Sequence, residues 1–304
     1  MEIRQFRYVN AVAECGSITK AAARLFISQP ALSNYISKLE DELGSRLFDR
    51  TTTPLTLTYA GEQYLRRAKQ ILIQLDDMKR EFRDISSNLS GRLRVGFPSE
   101  RIIYMLPLIL PLFKERYPGI NVEVISGPGN RLTEALRRGE VDFVFLPVWE
   151  KEKDIAQFKI ADEELVLVTA KGYLDDSFLL DRAARIVDWK RVSELPFITL
   201  KKGHALRKSV DVLFKNTGKD MNIVLESHSN MLSYRLAAQG QGVAVVPELT
   251  LKLMQGSMDA DWYHLSKHLV SWEVFALYRE GSYIGEVERA FLDIAVGALN
   301  PEKA

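Results

Sequence analysis

Ser17-Ile18-Thr19-Lys20-Ala21-Ala22-Ala23-Arg24-Leu25-Phe26-Ile27-Ser28-Gln29-Pro30-Ala31-Leu32-Ser33-Asn34-Tyr35-Ile36-Ser37-Lys38-Leu39 is the stretch that decides how the chain reads. Ser17 is placed to cap a short alanine-rich helix, whose small side chains let a second helix cross it closely. Phe26-Ile27 form a tight connection, and Ser28 caps the next helix, with Pro30 tolerated in its first turn. At 100° per residue Leu32, Tyr35, Ile36, Leu39 and Leu43 fall on one stripe. Pro30, Ser33, Asn34, Ser37 and Lys38 lie opposite. Two helices, a short turn and a small polar face fit a helix-turn-helix whose second helix enters a major groove. A plain helical hairpin with a solvated face would show the same periodicity.

The segment that follows separates the two. Arg46-Leu47-Phe48-Asp49-Arg50-Thr51-Thr52-Thr53-Pro54-Leu55-Thr56-Leu57-Thr58 reads as two short strands around a Thr/Pro turn. Such a wing, with Arg50 and the threonine run, is suited to phosphate contacts beside the groove. From Phe6 to Gly61 the chain resembles the winged helix-turn-helix of LysR-type transcriptional regulators. The motifs are Ser28-Gln29-Pro30-Ala31-Leu32-Ser33 together with Leu43-Gly44 and Leu47-Phe48-Asp49-Arg50. Two positions depart: Asn34 stands where the family frequently has Arg, and Tyr59 where it frequently has Glu or Pro. Asn reads adenine bidentately, so the first departure alters the operator rather than abolishing reading. The resemblance implies that double-stranded DNA is contacted by Ser28, Gln29, Pro30, Ser33, Asn34, Ser37, Lys38, Arg50, Thr51, Thr52 and Thr53.

From Thr58 a helical pattern without proline runs to about Ser87. Ala68, Ile71, Leu75, Met78, Phe82 and Ile85 recur at alternating spacings of three and four, an a/d seam of the kind that joins two helices. A helix of about 30 residues is on the order of 45 Å long, too long to bury against so small a head. The seam predicts a homodimer that presents two heads to two half-sites. Ser86–Gly91 is the hinge.

Beyond it β-type runs alternate with helices, which predicts an α/β fold with largely parallel sheets. The expected domains are therefore 1–58, the all-α winged helix-turn-helix; 59–91, the linker helix and hinge; and 92–304. The family resemblance extends over this last part and implies a two-lobed, periplasmic-binding-protein-like effector domain. Its lobes would comprise about 92–161 with 267–304, and about 162–266. Loops after the strands offer Pro98, Ser99, Glu100, Arg101, Gly129, Asn130, Pro147, Lys202, Gly203, His204, Ser227 and Ser229 to a small-molecule effector. Arg101 and Lys202 suit an organic anion. Glu100 opposes that charge, and Gly129 stands where the family often has a hydroxyl. The resemblance also implies a dimer of dimers and RNA polymerase as a partner. Ser99 and Ser229 would serve equally as helix caps.

Composition agrees with a globular, non-catalytic reading. The 304 residues are 46% hydrophobic, 27% charged and 10% aromatic, with a net charge of +1, so bulk electrostatics does not announce DNA binding. Residues 1–90 carry only two more Lys/Arg than Asp/Glu. A single cysteine, Cys15, excludes an internal disulfide and a multi-cysteine metal site. No GxSxG, HExxH or P-loop occurs, so neither catalysis nor a cofactor is implied. His264 and His268 are spaced i,i+4, but their surroundings read as strand, which defeats a helical metal pair. No apolar run reaches the ~20 residues that span a bilayer. MEIRQFRYVN is not a signal peptide, which places the expected protein in the cytoplasm. The rival reading is a solute-binding-type small-molecule binder without a DNA target.

Overall fold

Capping residues set the first three helices. α1 (Ile3–Cys15) ends on Gly16 at φ 57°, in the left-handed region that glycine adopts without cost. α2 (Ile18–Arg24) starts where Ser17 Oγ accepts the Lys20 amide at 3.4 Å. α3 (Gln29–Leu43) starts where Ser28 Oγ accepts the Ala31 amide at 3.4 Å. The wing is an antiparallel pair, β1 (Phe48–Asp49) with β2 (Thr56–Leu57), joined through a cis Thr53–Pro54 bond. α4 (Tyr59–Ile85) follows, its first turn capped by Thr58 Oγ1, which accepts the Gly61 amide at 3.1 Å. Val9, Val12, Ala21, Leu32, Ile36, Leu39, Leu47 and Phe48 form the core of this head. α4 crosses the wing so closely that a Cβ on Gly61 would lie 1.9 Å from the Leu47 carbonyl oxygen, so this position requires glycine.

The computed structural model describes residues 2–85, 90–147, 151–254, 256–266 and 272–300, without the side chains at 83 and 85. The chain divides into two compact units, 1–88 and 89–304.

The second unit contains two lobes. The first opens with β3 (Gly91–Phe97), α5 (Ser99–Arg116), β4 (Ile120–Ser126), α6 (Gly129–Arg137), β5 (Phe143–Pro147) and β6 (Ile155–Asp162). The chain then builds the second lobe from β7 (Leu165–Ala170), β8 (Leu179–Asp181), β9 (Ile186–Val187), α7 (Trp189–Val192), β10 (Phe197–Leu200) and α8 (Ala205–Lys215). That lobe continues with β11 (Ile223–Ser227), α9 (Asn230–Ala238), β12 (Ala244–Pro247), α10 (Glu248–Met254) and β13 (Ala260–His264). It returns to the first lobe with β14 (Glu273–Arg279) and α11 (Glu286–Leu299). The sheets are ordered β4-β3-β5-β14-β6 and β12-β7-β13-β9-β8, with β10-β11 a separate parallel pair.

The expectation of largely parallel sheets is corrected. β3 runs parallel to β4 and β5, but β14 is antiparallel to β5 and β6, and β7 is antiparallel to β12 and β13. The reason lies in the double crossing: a strand leaving a lobe and one entering it point opposite ways. Each lobe has its own core. Phe97 stacks on Phe145 with centroids 4.6 Å apart and Phe113 meets Phe291 edge-on in the first. Trp189, Phe197 and Phe214 meet edge-on in the second.

Candidate nucleic-acid interface and effector cleft

α3 buries Leu32, Ile36 and Leu39 and turns Gln29, Pro30, Asn34 and Lys38 to solvent, with Ser33 and Ser37 half-buried. Among the described residues, the side chains of Gln29, Asn34 and Lys38 make no intramolecular hydrogen bond. Their donors and acceptors are therefore open to base edges or phosphates.

A residue that periodicity missed joins this helix to the wing. Glu40 lies on the inner side of α3 and is 2% exposed. Its Oε1 accepts the Leu47 amide at 2.8 Å and the Phe48 amide at 3.2 Å. Its Oε2 accepts from Arg46 at 2.9 Å and Arg50 at 3.2 Å. Burial pushes its carboxyl upward, but Arg46, the two amides and Arg50 outweigh it and hold the carboxyl below its ordinary range. An acid beside Leu39 with arginines six and ten residues on was the only signal in the sequence. Arg50, expected on phosphate, is braced here, donating to Ser37 Oγ at 3.1 Å as well as to Glu40. Thr51 Oγ1 donates to Asp49 at 2.6 Å, and Thr52 Oγ1 pairs with Thr56 Oγ1 at 2.9 Å. Thr53 is exposed.

On α4 the expected seam is partly corrected. Ala68 is buried within the chain, so it is not free to face a second helix. Ile71, Met78 and Phe82 are exposed and Leu75 is half-buried, which leaves an open apolar stripe. The Ile85 side chain lies outside the described residues.

The residues expected to take an effector lie where strand ends meet helix starts. Pro98 precedes α5, and Ser99, its exposed first residue, accepts from Ser126 Oγ at 3.3 Å. Glu100 reaches across to the other lobe: its Oε1 accepts from Ser229 Oγ at 2.6 Å and from the Met231 amide at 3.3 Å. Ser229 in turn caps α9, accepting the Leu232 amide at 3.2 Å. Gly129 opens α6 against Leu146, a Cβ there lying 3.3 Å from Leu146 Cδ2, and Asn130 is exposed. Pro147 ends β5, half-buried. Lys202 is exposed, and Gly203 sits at φ 98°. His204 precedes α8, its ring centroid 5.8 Å from that of His228. Burial, and to a lesser extent His228, hold the His204 imidazole below its ordinary pKa against the pull of Glu100, which keeps it neutral near pH 7.

Two expected effector residues are corrected. Arg101 is buried and donates to Glu163 Oε2 at 2.9 Å, an oxygen that also accepts from Trp272 Nε1 at 3.1 Å. Glu163 lies between β6 and β7, and Trp272 just before β14, so Arg101 ties α5 to both crossings instead of offering a cation to a ligand. Ser227 is also buried; its Oγ accepts the Ser229 amide at 3.1 Å and contacts Ser233 Oγ at 3.0 Å, supporting the turn into α9 from beneath. His264 ends β13 bonded to Glu164 at 2.8 Å, and His268 lies outside the described residues. Among the described residues no cluster of three or more His, Cys, Asp or Glu fits a metal, and no helix is long and apolar enough to cross a membrane.

Comparison with known proteins covers both units. Residues 3–62 match the bacterial regulatory helix-turn-helix protein, lysR family, and residues 86–300 match the LysR substrate binding domain. The chain is 30% identical over 300 residues to the HTH-type transcriptional regulator BsdA of Bacillus subtilis (strain 168), covering 97% of this chain and 100% of that one. It is 30% identical to the HTH-type transcriptional regulator ClcR of Pseudomonas putida, covering 97% and 98%. Among solved structures, a full-length OxyR variant from Pseudomonas aeruginosa matches with a TM-score of 0.75 at 23% identity, over 99% of this chain and 95% of that one. Full-length CbnR complexed with its target DNA matches with a TM-score of 0.65 at 23% identity, over 98% and 100%.

Proposed function

Because this chain belongs to the LysR family of DNA-binding transcriptional regulators, we propose that α3 enters the major groove of its operator, where Gln29 and Asn34 read bases. The observation that carries this reading is that Gln29, Asn34 and Lys38 on the exposed face of α3 make no side-chain hydrogen bond among the described residues, opposite a face locked in the core. Ser28, Pro30, Ser33 and Lys38 line that approach, and Thr51–Thr53 approach phosphate from the wing. Ser37 and Arg50 reach the DNA as a braced pair. The apolar stripe on α4 joins two copies, so that two heads address two half-sites, and such dimers pair again into tetramers. The regulator acts in the cytoplasm, touches RNA polymerase at its promoters, and carries out no catalysis of its own.

The cleft between the lobes, at Ser99, Glu100, Asn130, Lys202, His204 and Ser229, takes the effector. A ligand that prefers one inter-lobe arrangement shifts the population of heads competent for the operator. The reading is tested by footprinting the purified protein on DNA flanking its own gene, with competitor DNA at about 0.15 M salt. Protection of an inverted repeat that survives competitor is the expected result. Protection that competitor removes entirely would leave the two-lobed unit as a small-molecule binder without that target.

A further inference from the structure

The head of α9 already holds a carboxylate. Glu100, carried by α5 of the opposite lobe, places Oε1 against the Ser229 hydroxyl and the Met231 amide, and Ser229 relays the contact to the Leu232 amide. A helix start with free amides and partial positive charge attracts anions; here the protein's own side chain supplies the anion. The attachment is intramolecular, so this carboxylate competes at an effective concentration on the order of millimolar or more against any free one.

What remains unsatisfied at this spot is acceptor capacity. Glu100 Oε2 has no hydrogen-bond partner among the described residues, and no cation there pairs with Glu100. The adjoining arginine is committed to Glu163. One residue beyond Ser229, the buried Oδ1 of Asn230 also lacks a donor among the described residues. Asn230 Oδ1 is a buried acceptor without a donor, whereas Glu100 is only half-buried and its Oε2 is open to what enters from solvent; together they offer acceptors, not donors, to a ligand. His204 and His228 add two imidazole rings nearby.

We infer that Glu100 is the anchor of the effector cleft, so that this regulator takes a small molecule presenting an ammonium or similar cationic donor to Glu100 and rejects simple carboxylates. This rests on the cleft being the effector site, and it replaces the organic anion that Arg101 and Lys202 suggested from sequence. The test is calorimetric titration of the full-length protein with benzylamine and benzoate, which share a ring and differ in the sign of the charge. Wild type is expected to bind benzylamine at least about tenfold more tightly than benzoate. Glu100→Gln keeps the acceptor on Ser229 and removes the charge, so the preference collapses with the melting temperature little changed. Glu100→Ala empties the seat, and benzoate binding rises above that of wild type. Wild type that prefers benzoate, that binds neither probe, or whose preference survives both substitutions overturns the inference. Operator protection read in parallel separates the two layers. Glu100-dependent amine binding that leaves protection unchanged keeps the anchor and removes the regulatory reading of the cleft. A molecule that alters protection equally in wild type and Glu100→Gln removes the anchor and keeps that reading.

Discussion

Asn34 and Gln29 project from α3 without side-chain partners among the described residues, so truncating either strands no buried group of the head. Asn34→Ala or Gln29→Ala is expected to weaken specific operator binding by roughly 1–3 kcal/mol while leaving binding to competitor DNA near its original level. Quantitative footprinting with and without competitor reads both. Glu40 behaves oppositely, because its partners are buried amides. Glu40→Ala leaves the Leu47 and Phe48 amides without an acceptor, at roughly 1–3 kcal/mol for a stranded group, and releases Arg46 and Arg50. Its carboxyl is held below the ordinary 4.5, so its contribution is complete above that value and is lost as the pH falls through 4.5 toward the lowered one. Thermal melts of the full chain across that window should show a steeper acid loss for wild type than for Glu40→Gln.

At the scale of elements, the open stripe of α4 is the feature with consequences beyond one chain. Ile71, Met78 and Phe82 expose apolar surface at helical spacing, an arrangement that a second helix covers. Replacing Met78 and Phe82 together by Glu should shift the protein toward monomer in sedimentation velocity and abolish simultaneous protection of two half-sites. The head itself should keep its melting behaviour, since its core includes neither residue. At its other end α4 is a structural strut: Gly61 lets it lie on the wing, and Ala68 is already buried. One helix thus serves the head near its start and, in the proposed dimer, a partner copy farther along.

For the molecule as a whole, response to a ligand needs DNA reading and ligand binding to reside on different units, as the division at 88/89 provides. Ser99→Trp adds bulk at the proposed effector site and leaves the residues of α3 unchanged, so operator protection should persist while any ligand-dependent change in it disappears. Retention of that change would displace the effector from this cleft. The winged head, the start of α4 and the alternation of strands and helices were legible because caps, turns and apolar periodicity are properties of neighbouring residues. Ser17, Ser28 and Thr58 each cap the helix that the sequence predicts. The candidate cleft was legible as a set of loops but not as a set of roles. Glu100 meets Ser229 across 129 residues, and Arg101 meets Glu163 across 62. Neighbouring positions on α5, both charged, thus went to opposite uses, one seated on the far lobe and one sealed at the crossings. The sign of the charge left facing the cleft, like the antiparallel course of β14, follows from which distant segments the double crossing brings together. Local pattern determined the elements of this protein; only tertiary contact decided which of its charges are already neutralised from within.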